Sequence, residues 1–384
     1  MRSCPRGRQL PRQHRPAPPR DARTPATDRL STVINAPAKR ITLKDIAREA
    51  GVATGTVSMV LNHSPRVADA TRSHVQHVIR DLGYVYDRGA GQLRSKHSHL
   101  VGVSVCDLVN PCVAEVTASL QQALQDLGHL LILGNSAESV PRQQRFLEKL
   151  REYKVEGLLL TPASGTPKTH VARLRDWRVP VVQVLRYVPG APTDFVGGDH
   201  RLGAAMATRH LLALGHQRIA FVGLDPLSIA AREGFAGFLA ALEEAGQAPD
   251  ADLVLPGPAT REAGYLAMAP LYALARPPTA LVCADPLIAF GALRGLVHLG
   301  IEPGRDCSVI ALDDVAEAAL CDPPLTAMVF DLDCIGRAAS RLLSERIVAP
   351  DHPVEHLVLQ PRLVVRSSCG KPRAVRRLNT SRPR

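Results

Sequence analysis

Aromatic side chains are scarce: they make up 4% of the 384 residues, with a single tryptophan. A stacking platform for single-stranded nucleic acid, or a carbohydrate surface built on stacked rings, needs more π faces than that. Long apolar runs are also missing. No stretch approaches the roughly 18 apolar residues that a membrane helix requires, and the Arg/Pro-rich first residues lack the apolar segment of a secretory signal. The expected compartment is the cytoplasm, with no membrane partner. The eight cysteines (Cys4, Cys106, Cys112, Cys283, Cys307, Cys321, Cys334 and Cys369) form no C-x-x-C pair and no Cys/His cluster with zinc spacing. Buried or free thiols in a reducing cytosol are expected, and no metal site. No G-x-G-x-x-G follows a strand pattern, and neither a Walker A sequence nor a G-x-S-x-G elbow occurs. No cofactor is expected, and scattered Asp and His residues argue against an enzyme.

What is present is an ordinary globular composition, 45% hydrophobic and 22% charged, long enough for two or three domains. The net charge of +11 is unevenly spread. Residues 1–40 carry +8 and residues 41–100 carry +3, whereas residues 101–365 carry −7 and residues 366–384 carry +7. An acidic body with a basic front and a basic tail points to a polyanion at the front, most simply nucleic acid.

Residues 1–38 read as a disordered basic tail, because Pro and Arg leave too few apolar groups to offset ordering entropy. Helical periodicity begins only at Ile41, and Val33 is a candidate alternative start. Residues 39–84 read as three short helices. Thr42 and Asp45 have capping-box spacing, with Ile46, Ala47 and Ala50 inward and Gly51 as the stop. Val57, Val60 and Leu61 give the second helix its apolar face. The third runs from about Asp69 to Leu82 and ends at Gly83. Residues 85–98 are polar and glycine-containing, a hinge or linker.

From Leu100 the texture changes. Unbroken apolar runs at Leu100–Val105, Leu130–Leu133, Gly157–Leu160, Val179–Val184, Ile219–Val222, Ala280–Cys283 and Ser308–Leu312 alternate with helix-period segments. That pattern predicts parallel sheets covered on both faces, hence an α/β fold. A helix ending in Leu127-Gly128-His129 is echoed by Leu214-Gly215-His216, which fits two similar halves.

The most specific signal is Ala47-x-x-Ala50-Gly51-Val52-x-x-x-Thr56-Val57-Ser58-x-Val60-Leu61-Asn62. It reads as helix, tight turn, helix, with small polar residues facing outward at a helix start, where phosphates and base edges are reached. With Ile41-Thr42-Leu43-Lys44-Asp45-Ile46, Arg66-Val67, Thr71-Arg72, Leu82-Gly83-Tyr84, Asn110-Pro111, Gly215-His216-x-Arg218-Ile219, Arg232-x-Gly234-Phe235, Asp313-Asp314 and Pro324-Leu325-Thr326, the chain resembles the LacI/GalR (lactose-repressor) family over about residues 41–368.

The resemblance implies a helix-turn-helix headpiece (39–84), a hinge (85–98) and an effector-binding, dimerising core (99–368), followed by a basic tail (369–384). The core would be a two-lobed, periplasmic-binding-protein-like pair of Rossmann-like subdomains: about 99–197 with 328–350, and 198–327 with 351–368. It implies a homodimer on a double-stranded, pseudo-palindromic operator, acting as a repressor under a small-molecule effector, with a sugar or sugar derivative favoured. The alternative is a cytoplasmic ligand-binding protein of the same shape with weakened DNA binding. By position, Thr54, Gly55 and Met59 would face bases. Asn62 and Arg66 would lie near bases or backbone, Thr42, Thr56 and Ser58 near phosphates, and Leu43 also in the DNA interface. Leu93 would enter the minor groove as a wedge. Met59 stands where many members have Arg and cannot make a bidentate guanine contact, and Ala53 replaces a capping Ser, a role Thr54 could take over. Asp107, Asn110, Arg186, Asp199, Asp225, Asp285 and Asp313 stand at the ends of predicted strands, and Arg232 lies early in a following helix; of these, Asn110, Arg186, Asp199, Arg232, Asp285 and Asp313 are the candidate effector contacts. Ala284 and Leu185 replace an asparagine and an aspartate common in sugar-responsive members, which weakens the sugar assignment and leaves a nucleoside or a small acid open. Carboxylates alternating with arginines suit vicinal hydroxyls. For Asp285, which precedes Pro286, a helix N-cap reading competes.

Overall fold

The computed structural model describes residues 41–61, 64–84 and 98–373. Asn62, Leu93, the tail 1–38 and nearly all of 85–98 lie outside the described residues. The chain divides into two units, residues 1–87 and 88–384.

In the first unit, α1 (Leu43–Glu49), α2 (Thr54–Leu61) and α3 (Asp69–Asp81) form the expected trihelical module. The Thr42 side chain accepts from the Asp45 N–H and the Asp45 carboxylate accepts from the Thr42 N–H, a reciprocal capping box. Gly51 holds φ +63° in the turn between α1 and α2, a conformation that costs glycine nothing. Ile46, Val57, Val60, Val67 and Val75 form a small core. The Arg72 guanidinium donates to the Ser64 and Val67 carbonyls, tying α3 to the preceding loop.

The second unit holds two six-stranded sheets. The first contains β1 (Leu100–Val105), β2 (Leu130–Asn135), β3 (Gly157–Leu160), β4 (Val181–Val184), β5 (Asp194–Gly198) and β11 (His356–Leu359), in the order β11-β5-β4-β3-β1-β2, all parallel. Around it lie α4 (Pro111–Asp126), α5 (Val140–Glu152), α6 (Lys168–Asp176) and α11 (Leu332–Val348). The second sheet contains β6 (Ile219–Leu224), β7 (Val254–Pro256), β8 (Ala280–Cys283), β9 (Ser308–Ala311), β10 (Thr326–Val329) and β12 (Arg362–Val364), in the order β12-β10-β9-β8-β6-β7, with β12 antiparallel. Its helices are α7 (His200–Ala213), α8 (Ile229–Glu244), α9 (Arg261–Ala273) and α10 (Pro286–His298). Every apolar run named from sequence contains a strand, and those strands are mostly buried except for edge strand β2.

Two boundaries differ from expectation. Residues 351–368 do not all join the second lobe: β11 pairs with β5 in the first sheet, and only β12 belongs to the second. The chain therefore passes between lobes three times, near residues 199, 331 and 361. β11 escapes a sequence reading because it is a four-residue edge strand whose side chains alternate between exposed and half-buried. The ordered body also extends past residue 368. Gly370 accepts from His216 and donates to the Ser308 hydroxyl, and the Cys369 thiol bonds the Val309 carbonyl, so the tail does not begin at 369.

Candidate functional site

On the first unit, α2 presents exposed Thr54, Gly55 and Met59, with Thr56 and Ser58 half-buried beside them. Arg66 is exposed in the following loop, and Leu43 is half-buried at the start of α1. Thr42, expected near a phosphate, already donates its hydroxyl to Asp45 at 2.7 Å. Thr54 does not take the cap position. The Ala53 carbonyl receives the first intrahelical bonds, from the Thr56 and Val57 N–H groups, and Ala53 has no side-chain acceptor to add.

In the second unit the strand order of each sheet reverses at its first strand, β1 and β6, and ligands of open parallel sheets bind outside the carboxyl ends at such points. A cavity of about 230 Å³ lies there, lined from both lobes. Six strand-end residues line it: Asp107 and Asn110 after β1, Arg186 after β4, Asp225 after β6, Asp285 after β8 and Asp313 after β9; four of them, Asn110, Arg186, Asp285 and Asp313, are predicted effector contacts.

Asn110 is doubly engaged. Its Oδ1 caps α4 by accepting from the Cys112 N–H at 3.0 Å, and its Nδ2 donates to Asp285 Oδ2 at 2.7 Å. Asp285 in turn caps α10, accepting from the Leu287 N–H at 2.8 Å. Both readings of Asp285 thus hold a part of the geometry: it is an N-cap, and its second oxygen faces the cleft, where it joins the lobes through Asn110.

Burial raises the Asp285 carboxyl above its usual range, and burial together with the nearby Asp285 charge raises Asp313 further. Arg186 counters both charges. It also binds Glu138 at 2.7 Å, and Glu138 accepts from the Ser164 N–H. Asp314 is held apart from this group by a bidentate pair with Arg366, at 2.8 and 2.7 Å. Of the adjacent aspartates, only Asp313 lines the cavity.

Two predicted residues stand elsewhere. Asp199 caps α7 through the Leu202 N–H at 2.8 Å. Arg232 is exposed and lines a smaller adjoining cavity with Tyr187. Sequence reasoning missed three features. His200, one residue past Asp199, lines the cavity and packs edge-on against Phe330; burial holds its imidazole down at about 4, so it is neutral. Glu138 carries no periodic signal, since it lies in a turn with φ +55°. Tyr187 donates to Glu233 at 2.5 Å, a second hydrogen bond between the lobes; burial first, then this carboxylate, pushes the phenol up to about 12. Strand-end position was a usable signal for all three, since Glu138 follows β2, Tyr187 follows β4 and His200 follows β5 within three residues.

The arrangement can grip a small polar molecule with acceptors from one lobe and donors from the other. Residues 42–87 match the lacI family of bacterial regulatory proteins, and residues 208–369 match the periplasmic binding protein-like domain. Over 331 residues the chain is 30% identical to the HTH-type transcriptional repressor PurR of Mannheimia succiniciproducens, covering 86% of this chain and 99% of that repressor. The lac repressor dimer bound to operator and the anti-inducer ONPF aligns with a TM-score of 0.78 and 26% identity, covering 86% of this chain and all of that one. A complex of the transcriptional regulator CelR with cellobiose aligns with a TM-score of 0.65 and 32% identity, again over 86% of this chain and all of that one.

Proposed function

The chain belongs to the lacI family of bacterial regulatory proteins, and from that premise we propose that its effector is a compact, hydroxyl-rich molecule, a sugar or sugar derivative. The protein is a DNA-binding transcriptional repressor with a small-molecule effector. The observation that carries the ligand class is the convergence of Asn110, Arg186, Asp285 and Asp313 on one cavity between the lobes. Carboxylates accept from vicinal hydroxyls, and Arg and Asn donate to ring and hydroxyl oxygens. The cavity is smaller than the roughly 300–1,000 Å³ of drug-sized sites, which favours a monosaccharide over an oligomer.

In this reading the effector competes for the Asn110–Asp285 bond and shifts the balance between two lobe arrangements, one of which the Tyr187–Glu233 bond holds. The shift passes to a homodimer whose two headpieces read the half-sites of a pseudo-palindromic operator, so ligand and DNA affinities are linked. Met59 and Gly55 leave few base-edge donors on α2, so the operator departs from those read by an arginine at that position. On the same reading the cleft binds without catalysis and the protein acts on DNA in the cytoplasm, as fits a lacI-family regulator.

The test is binding of the full-length protein to its own upstream promoter DNA, titrated with sugars, sugar acids and nucleosides. One sugar should shift operator affinity tenfold or more (about 1.4 kcal/mol of coupling), and Asp313→Asn should weaken that response without changing binding in its absence. A nucleoside that alone shifts affinity overturns the sugar assignment. Specific DNA binding that no compound alters overturns the coupling.

A further inference from the structure

The two echoed histidines meet different surroundings. His216 is fully partnered, with its ring nitrogens at 2.8 Å from Thr279, 2.9 Å from Ser308 and 2.9 Å from the Gly370 carbonyl. His129 has no such set. Its side chain is nine-tenths buried, and its Nδ1 has no hydrogen-bond partner. Instead it faces a carboxylate, Glu156, at 3.8 Å, and a second imidazole, His99, with ring centroids 6.3 Å apart.

We propose that His99, His129 and Glu156 form a binding site for a divalent transition-metal ion of the zinc class at the amino-terminal edge of the first sheet. The topology brings them together. Each residue immediately precedes one of three neighbouring strands, β1, β2 and β3. Parallel pairing sets Leu100 beside Leu130 and Val101 beside Gly157, so the residues before these strands share one edge. Backbone bonds hold that register up to the site: Leu130 N–H to the His99 carbonyl, and Glu156 N–H to the Leu100 carbonyl, both 2.8 Å. The Glu156 carboxylate is aimed by its other oxygen, which accepts from the His99 N–H at 3.0 Å.

The donor atoms of the three side chains lie within 4.8 Å of one another. Metal–nitrogen and metal–oxygen bonds of about 2.0–2.2 Å require them to draw closer by about an ångström, which rotation of the exposed His99 ring supplies first. Two imidazoles and one carboxylate are the ligand set of a zinc site with an open fourth position, and the exposed side at His99 admits water there. Imidazole pairs disfavour magnesium and calcium, which take oxygen. The bound ion would satisfy His129 Nδ1, one of the few buried side-chain atoms among the described residues that lack a hydrogen bond. It would also fasten His99, the chain's entry into the effector body, to the loops before β2 and β3. The separations of 30 and 27 residues between the ligands explain why no metal spacing showed in the sequence.

The test uses metal-stripped, full-length protein titrated with cobalt(II) and competed with zinc(II), alongside melting curves. The wild type should bind an ion that His99→Ala and Glu156→Gln each weaken about 100-fold or more. It should show visible d–d bands without a thiolate-to-cobalt charge-transfer band. Zinc, and not magnesium, should raise its melting temperature. Each variant's zinc-induced rise in melting temperature is read against its own metal-free curve, which separates loss of the site from loss of the fold. Absence of cobalt binding in the low-micromolar range, a thiolate band, or binding that persists in both variants overturns the proposal.

Discussion

The two lobes of the effector body share a strand order but are fastened differently. Each sheet begins 2-1-3-4-5 and ends with a strand donated by the C-terminal segment, parallel in the first lobe and antiparallel in the second. In each, an Arg–Asp pair clamps that segment. In the first lobe Arg346 grips Asp194 with two nitrogens, at 2.8 and 2.7 Å, and also donates to the Pro350, His352 and Pro353 carbonyls. In the second, Arg366 grips Asp314 and the Leu325 carbonyl. The helices differ more. Those of the second lobe approach backbone to backbone: a Cβ at Gly291 would strike the Arg261 carbonyl, one at Gly264 the Ile288 carbonyl, and one at Gly237 the Arg201 carbonyl. In the first lobe the close glycines lie mainly on strands, beneath flexible side chains, as Gly102 lies under Leu150 and Gly157 under Leu343. The same topology can thus be closed by side chains that yield or by backbones that cannot.

That contrast can be broken most forcefully at the clamps. Arg346→Ala strands Asp194, which is only 2% exposed, and should cost about 4 kcal/mol in urea unfolding. Arg366→Ala leaves Asp314 at 15% exposure, where water reaches it, and should cost about half as much, roughly 2 kcal/mol. Equal losses would show that the lobes are clamped alike. Next come the glycines. Gly291→Ala should destabilise by about 3 kcal/mol, because a carbonyl cannot step aside, and Gly157→Ala by about 1 kcal/mol, because the Leu343 methyl groups can. A reversed order would refute the backbone-contact reading.

Between the lobes, Asn110→Ala removes a buried donor from Asp285 and should cost about 2 kcal/mol, seen as a lower melting temperature and a changed effector response. A smaller effect than that of Asn110→Ala is a pH dependence at the seam. The His200 pKa falls from 6.5 to about 4 on folding, first because the ring is buried. The unfolded chain therefore takes up the proton more readily. Stability should be complete above pH 6.5 and fall as pH drops from 6.5 toward 4, by about 1 kcal/mol once partial exposure is allowed for. His200→Gln should flatten that limb of the stability curve.

Much of this was legible residue by residue. The Thr42/Asp45 capping box, the glycine turn at Gly51 and the inward Val57 and Val60 are local features, set by contacts within a few positions. The central strands were legible as unbroken apolar runs, because a strand covered on both faces has no polar side to show. Strand ends then located Asn110, Arg186, Asp285 and Asp313. Local chemistry therefore determined the elements, the class of fold and the places where a ligand could sit.

The tertiary structure alone decided which strand-end residues meet. It spent Asp199 on a helix cap, set Arg232 in the adjoining cavity, and brought His200 and Glu138 to the cleft. It assigned β11 to the first sheet and drew His99, His129 and Glu156 to one edge. These outcomes depend on strand order and register between segments that can lie more than a hundred residues apart. Periodicity along a chain reports which face of an element is buried, but it does not report which element lies beside it.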